Sequence, residues 1–383
     1  MRGMRERRHA LRSEGSGAHR ITREADRIQG APLRRQKASK KEPLLTLSGA
    51  PNMDTPDKIT AGDLEVCVLT FNRAPLLHQA LESLLAQTAR GFAVSVYDNA
   101  SPDGTAETVE ELRPRFGGNF RYVRHPKNIG ADANFHAALA GASRKYAMFM
   151  HDDDLAHPEY VECAVAAINA FGNVAVLASN YSYMRIESGE SIAWKNVSRK
   201  AFAFESRGDF AAYIFCDGRA SYSSAIYRTA DLRARNRPNI YGKIGDTPVM
   251  IDAAGGGKTV VLADKNLFVY RIHAGQDSKN TSNGPTREEI VNRNRLFREI
   301  LMNGSPAHRF AYRISYAEWL SRHVKFAGAD DRRKREFLAS LTAGETAGMM
   351  SKAYSVPVAG EFLRGFIRVL RMLRKLVWRP ENF

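Results

Sequence analysis

Apolar and polar positions change rhythm along this chain, and the rhythm defines its elements. Residues 66–71 form a short apolar run that reads as a buried strand, followed by Asn72-Arg73-Ala74-Pro75 and an amphipathic helix to about residue 87. A second strand at 92–97 ends in Asp98-Asn99-Ala100-Ser101-Pro102-Asp103-Gly104-Thr105, a turn-rich loop opening a helix at 105–112. The third strand, 120–123, runs into His125-Pro126-Lys127-Asn128-Ile129-Gly130 and an alanine-rich helix through residue 142. A fourth run, from Tyr146, ends in Asp152-Asp153-Asp154. Strands alternating with helices at this spacing predict an α/β fold with a mostly parallel sheet, in which loops at the carboxyl ends of strands form the ligand crevice. Asp98, Asn128 and Asp152 to Asp154 all fall on such loops.

Downstream, a helix is expected at 159–171 and a strand at 174–178, then less regular segments through Arg219 and a strand at 223–227. Residues 241–246 lead into a helix through about residue 254, with Thr247-Pro248 behind Asp246 as a helix start would have it. Strands at 259–262 and 267–271 end in Ile272-His273-Ala274-Gly275-Gln276-Asp277-Ser278, and helices follow at 288–302, 310–326 and 334–341. In the last stretch Leu363, Phe366, Ile367, Leu370, Leu373 and Val377 share one helical face, Arg364, Arg368, Arg371 and Lys375 lie on another, and Trp378 and Arg379 close it. Such a helix suits an in-plane anchor on an anionic membrane, and equally a terminal helix docked on the rest of the chain or at a dimer contact.

Three adjacent carboxylates at a strand end repel one another, and a divalent cation is the simplest way to hold them there. Oxygen ligands in an open loop suit magnesium or manganese, which keep positions free for the oxygens of a substrate diphosphate. An acidic loop that merely caps the following helix would look the same at this level.

Charge separates the ends from the middle. Of a formal +16, the first 52 residues hold 13 Lys or Arg against 5 Asp or Glu, and residues 361–383 hold 6 against 2. A nearly balanced middle argues against a nucleic-acid binder. Residues 1–57, rich in Arg, Lys, Ser, Gly and Pro, read as a disordered basic arm before an α/β domain at 58–280, a helical extension at 281–350 and the amphipathic helix at 355–383. Cys67, Cys163 and Cys216 have no paired spacing, which suggests buried thiols in a reducing compartment. Neither a spanning apolar run nor a secretory leader is visible, so the expected location is cytoplasmic, peripheral to the inner face of the plasma membrane.

Four motifs in order and at strand spacing, Thr70-Phe71-Asn72-Arg73, Asp98 to Thr105, Asn128-Ile129-Gly130 with Asn134, and Asp152-Asp153-Asp154, resemble family 2 of the glycosyltransferases. Arg271-Ile272-His273 and Gln276-Asp277-Ser278 resemble its branch that builds bacterial surface polysaccharides. The resemblance implies a GT-A fold and inverting transfer of a sugar from a nucleoside diphosphate donor (UDP, dTDP or GDP type) to a hydroxyl of a glycan or lipid-linked acceptor. It places Thr70, Asn72, Arg73, Asp98, Asn128, Gly130, Asp152 and Asp153 in the donor site. Asp154 becomes the metal ligand for manganese or magnesium, with His273 as a further contact or a structural histidine. Asp246 stands about where the family has its catalytic base, although Gly245 precedes it where many members have a second acid; Asp252 is the reserve. Two other readings fit less well: a sugar nucleotidyltransferase, which needs a Gly-rich loop after its first strand, and a catalytically silent GT-A domain that binds glycan at a membrane.

Overall fold

The computed structural model describes residues 58–186, 192–215, 218–276 and 380–383, together with Asn292, Arg295, Leu296 and Glu299. Strand and helix alternate as expected through β1 (Leu64–Thr70), α1 (Ala74–Leu85), β2 (Ala93–Asp98), α2 (Thr105–Phe116), β3 (Phe120–Arg124), α3 (Ala131–Gly141) and β4 (Tyr146–His151). There follow β5 (Leu155–Ala156), α4 (Tyr160–Phe171), β6 (Val174–Ser179), β7 (Ser182–Arg185), β8 (Lys200–Phe204) and α5 (Arg207–Phe215). The described chain ends with β9 (Ile226–Arg228), α6 (Thr229–Arg235), α7 (Asp246–Ala253), β10 (Lys258–Leu262), β11 (Phe268–Ile272) and β12 (Glu381–Asn382).

Period-two alternation decides how the sheet is covered. Val66 and Val68 face one side with Val94, Val96, Met148 and Met150, where Leu77, Leu81 and Leu84 of α1, Val109 and Leu112 of α2, and Tyr160 and Val161 of α4 pack on them. Cys67, Tyr97 and Phe149 face the other, against Phe135 and Leu139 of α3, Phe210 of α5 and Ile251 of α7. Each fully buried leucine contributes about 2 kcal/mol of transfer free energy. Cys67 and Cys163 are buried free thiols, pushed up in pKa by that burial.

The nine-stranded sheet has the order β12-β8-β10-β6-β9-β4-β1-β2-β3. β9 runs antiparallel between β4 and β6, β8 runs antiparallel beside β10, and the remaining strands point one way. From β1 the chain steps outward to β2 and β3, then β4 returns on the other side of β1. The order therefore reverses between β1 and β4, the switch point at which open α/β sheets bind ligands. A small second sheet, β5-β11-β7, stands beyond the acidic triplet.

Where the sequence suggested less regular chain before Arg219, the structure has β7, β8 and α5, and α6 follows β9 without a loop. These strands owe their extension to partners distant in sequence, β11 for β7 and β10 for β8. The strand expected at 223–227 begins only at Ile226, because Ser223 accepts the His151 N–H and Ser224 bonds Ser179 and Ser221. Asn292, Arg295, Leu296 and Glu299 are helical, in the stretch where a helix was expected. The basic arm, the helices at 310–326 and 334–341, Asp277-Ser278 and the amphipathic helix through Arg379 lie outside the described residues. Just past it, β12 pairs antiparallel with β8, and Phe383 packs against Phe171 with ring centroids 6.4 Å apart.

Candidate active site

Parallel register sets the site. Thr70 pairs with Asp98, Leu69 with His151, and Asp98 with Arg124, so the carboxyl ends of β1 to β4 form one row. In the switch-point crevice the Thr70 hydroxyl donates to Asp152 Oδ2 at 2.7 Å, and Arg73 Nη1 reaches Asp152 Oδ1 at 3.1 Å and Asp153 Oδ2 at 3.3 Å. Burial pushes the Asp152 pKa up, with Arg73 and Thr70 opposing. Burial acts the same way on Asp153, but His151, Arg73 and His273 together outweigh it and hold this carboxyl below its ordinary value.

Asp154 is fully buried and differs from its neighbours. Its Oδ1 accepts the Arg271 N–H at 3.2 Å, while Oδ2 has no hydrogen-bond partner among the described residues. Burial and the adjacent Asp153 charge push its pKa up to about 7. One atom each from His151, Asp153 and Asp154 lie within 4.8 Å of one another, a spacing able to hold a metal ion. An orphaned buried carboxylate oxygen beside a second carboxylate and an imidazole fits a divalent cation.

The cluster differs from the expected ligand set. His151, the last residue of β4, was not singled out in the sequence, where it reads as the tail of an apolar run. His273 places its Nε2 3.1 Å from Asp153 Oδ2, within reach to orient that carboxylate. Arg271 is a second residue the sequence left without a role. Fully buried, it bonds the carbonyls of Asp153, Asp152 (3.1 Å) and Leu76 (3.0 Å) and the Gln79 side chain, which fixes the acidic loop against α1.

The flanking loops are rigidly tied. Asp98 is fully buried; Oδ1 accepts the Ser101 N–H at 2.8 Å, Oδ2 accepts the Tyr122 hydroxyl at 2.7 Å, and Arg124 lies 3.4 Å away. In this conformation it shapes its own loop. Asn128 Oδ1 accepts from Asn99 Nδ2 at 2.9 Å and from the Gly130 N–H at 2.8 Å, clasping the loops after β2 and β3. Gly130 has φ +88°, a conformation that favours glycine, and Asn72 has φ 55° with its N–H on Ser101 Oγ.

Asp246 opens α7 and takes the Thr247 N–H at 2.7 Å. Protein atoms crowd it as densely as in the interior, and this burial pushes its pKa up, yet its side chain stays open to water, which tempers the push; Thr247 and His151 oppose it. The same His151 belongs to the acidic cluster, which therefore lies near enough to Asp246 for its charge to be felt there. Gly245 is glycine for a local reason: a Cβ there would lie 2.4 Å from the Asn239 side chain, which is fixed by bonds to Gly242 O and the Tyr241 N–H. Asp252, the reserve candidate, is ion-paired to Arg207 and Arg237 at 2.6 Å each.

Sheet order and switch-point crevice define a GT-A-type α/β protein. The chain superposes on the crystal structure of S. aureus TarS residues 1–349 in complex with UDP-GlcNAc with a TM-score of 0.54 at 20% identity, over 80% of this chain and 89% of that one. Residues 65–231 match the family model described as Glycosyl transferase family 2. Sequence relatives agree. The abequosyltransferase RfbV of Salmonella typhimurium is 31% identical over 93 residues, 24% of this chain and only 28% of that protein. An uncharacterized glycosyltransferase of Nostoc is 22% identical over 271 residues, 69% of this chain and 80% of its own length.

Proposed function

We propose that this chain is a metal-dependent, inverting glycosyltransferase. It moves a sugar from a nucleoside diphosphate sugar to a hydroxyl of a lipid-linked glycan acceptor in bacterial surface polysaccharide biosynthesis, at the cytoplasmic face of a membrane. The observation that carries this reading is the orphaned Asp154 Oδ2 beside His151 and Asp153 at the switch point of a family 2 domain. His151, Asp153 and Asp154 would hold the cation, and the imidazole nitrogen in that donor set favours manganese over magnesium. When bound, the cation supplies positive charge to the donor diphosphate.

The remaining work falls to the protein. Thr70 and Arg73 hold Asp152 toward the donor, and Arg271 keeps the acidic loop from moving when charge shifts. Asp246 takes the proton of the acceptor hydroxyl as that oxygen attacks the anomeric carbon and the bond to the diphosphate breaks, the leaving group departing with the electron pair. An elevated pKa makes Asp246 a better proton acceptor near neutral pH than an ordinary aspartate.

Thermal-shift measurements on the full chain with UDP, GDP, dTDP and CDP, each with and without manganese, test the donor site. A ligand at about 100 times its Kd stabilises the fold by about 2.7 kcal/mol. UDP is the first to try, since TarS is seen with UDP-GlcNAc. One diphosphate should raise the Tm in the presence of metal, and Asp246→Asn should keep that response while losing transfer. A protein indifferent to all four diphosphates would leave the catalytically silent domain as the better account.

A further inference from the structure

The face of the small sheet opposite Arg271 carries an aromatic cluster that the donor chemistry does not use. Tyr183 of β7 lies directly across from Tyr270 of β11, with ring centroids 5.8 Å apart. Tyr181, just before β7, meets Tyr183 edge to face at 5.2 Å and Tyr270 at 6.0 Å, and the Tyr181 and Tyr183 hydroxyls are 3.3 Å apart. The Arg219 guanidinium stands over the Tyr183 ring, 5.7 Å from its centroid. Tyr183 is nonetheless 54% exposed, the most exposed large apolar side chain among the described residues.

We propose that Tyr181, Tyr183, Tyr270 and Arg219 form a shelf that binds sugar units of the acceptor glycan. This assignment rests on the glycosyltransferase reading and adds to it the place where the acceptor lies. Position supports it. The loop that carries Arg219 continues to Tyr222, whose ring is 5.7 Å from that of His151, and to Ser223, which accepts the His151 N–H. Shelf and acidic cluster are thus two ends of one short loop. Tyr181 follows β6 and Arg219 precedes β9, two strands across β4 from β1, β2 and β3, whose loops are expected to take the nucleotide, so these shelf residues flank the side left for the acceptor.

Chemistry supports it as well. A sugar ring has apolar C–H faces and a polar rim, and tyrosines offer flat apolar surface with a hydroxyl at the edge. Arg219 adds donors for hydroxyl or carboxylate groups. A stable protein partner needs about 1,200 Å² or more of buried surface, far beyond three rings and an arginine.

The test uses the full chain on an array of defined bacterial surface oligosaccharides, with Tm in UDP plus manganese measured in parallel. Tyr183→Ala replaces an exposed ring and should fold normally. It should weaken retention of the oligosaccharides that wild type binds by about tenfold, as should Arg219→Ala, while Tyr183→Phe keeps most of it. The nucleotide response should be equal in all four proteins. Equal retention by Tyr183→Ala and wild type overturns the shelf, and so does a wild type that retains no oligosaccharide. Loss of the nucleotide response in Tyr183→Ala alone moves the cluster to the donor site and overturns the acceptor assignment. A wild type unresponsive to every nucleoside diphosphate is the separate signature of failure of the enzyme reading itself.

Discussion

Asp154 shows how a single residue can oppose stability for the sake of a site. Its carboxylate is fully buried and a second carboxylate lies beside it, which is why its pKa rises to about 7, and one of its oxygens has no hydrogen-bond partner among the described residues. Without a cation this arrangement works against folding at neutral pH. Asp154→Asn removes the charge and keeps the oxygen that accepts the Arg271 N–H. The variant should therefore be more stable than wild type in chelator, by roughly 1–3 kcal/mol, as measured by urea unfolding. Its stabilisation by manganese should vanish. A variant less stable than wild type in chelator and still responsive to manganese would remove Asp154 from the cation site. Other residues show where sequence stops being informative. The acidic triplet was legible as a cluster because three adjacent carboxylates need a reason to exist. The division of labour within it was not, since that depends on Arg73, His273 and Arg271 arriving from 79 or more residues away. Asp98 and Asp252 carry the same letter as the acidic triplet, and their partners, Tyr122 and Ser101 for one and two arginines for the other, could not be read from the sequence.

Among the elements, β1 is the one on which the others are registered, and Glu65 is the side chain that locks it. This glutamate is almost completely buried; it accepts from the Ser95 hydroxyl of β2 at 2.7 Å, Arg121 of β3 at 3.1 Å, and the Ser143 N–H and hydroxyl before β4 at 2.6 and 2.9 Å. Burial alone would raise its pKa, but Ser143, Ser95 and Arg121 together lower it below the ordinary value of 4.5. A lowered folded-state pKa stabilises the protein above the unfolded value and loses that contribution as pH falls through the folded value. Glu65→Ala should cost about 2–4 kcal/mol at pH 7, and the deficit should shrink as unfolding is measured at progressively lower pH below 4.5. A deficit independent of pH would mean that packing, not the charged hydrogen bonds, holds β1. The sequence made the β1 to β4 half of the sheet legible, because parallel strands buried on both faces are continuous apolar runs and their crossover helices repeat at 3.6 residues. Strands β5, β7 and β9 have two to four residues each, and the pairing that makes them strands lies far away in the chain, so no local signal announces them.

At the scale of the whole molecule the open matter is how a chain whose charge gathers at its ends meets its acceptor. Among the described residues no helix is long and apolar enough to cross a membrane. The proposed membrane contact is the sequence between residues 355 and 379, where Arg364, Arg368, Arg371 and Lys375 alternate with bulky apolar residues. Truncation at residue 361 would be a poor test, because it also removes β12 from the sheet edge and Phe383 from its packing against Phe171. Replacing those four basic residues by Gln keeps the terminal strand and removes only charge. Each basic side chain near an anionic surface contributes about 1 kcal/mol, so the fourfold variant should partition roughly a thousandfold less onto phosphatidylglycerol vesicles. Neither protein should sediment strongly with phosphatidylcholine alone, and raising the salt should narrow the difference, since attraction fades beyond a Debye length of about 8 Å at physiological ionic strength. Equal sedimentation of both proteins with the anionic vesicles would make the basic face an internal or subunit contact, and the acceptor would then reach the enzyme without help from the membrane.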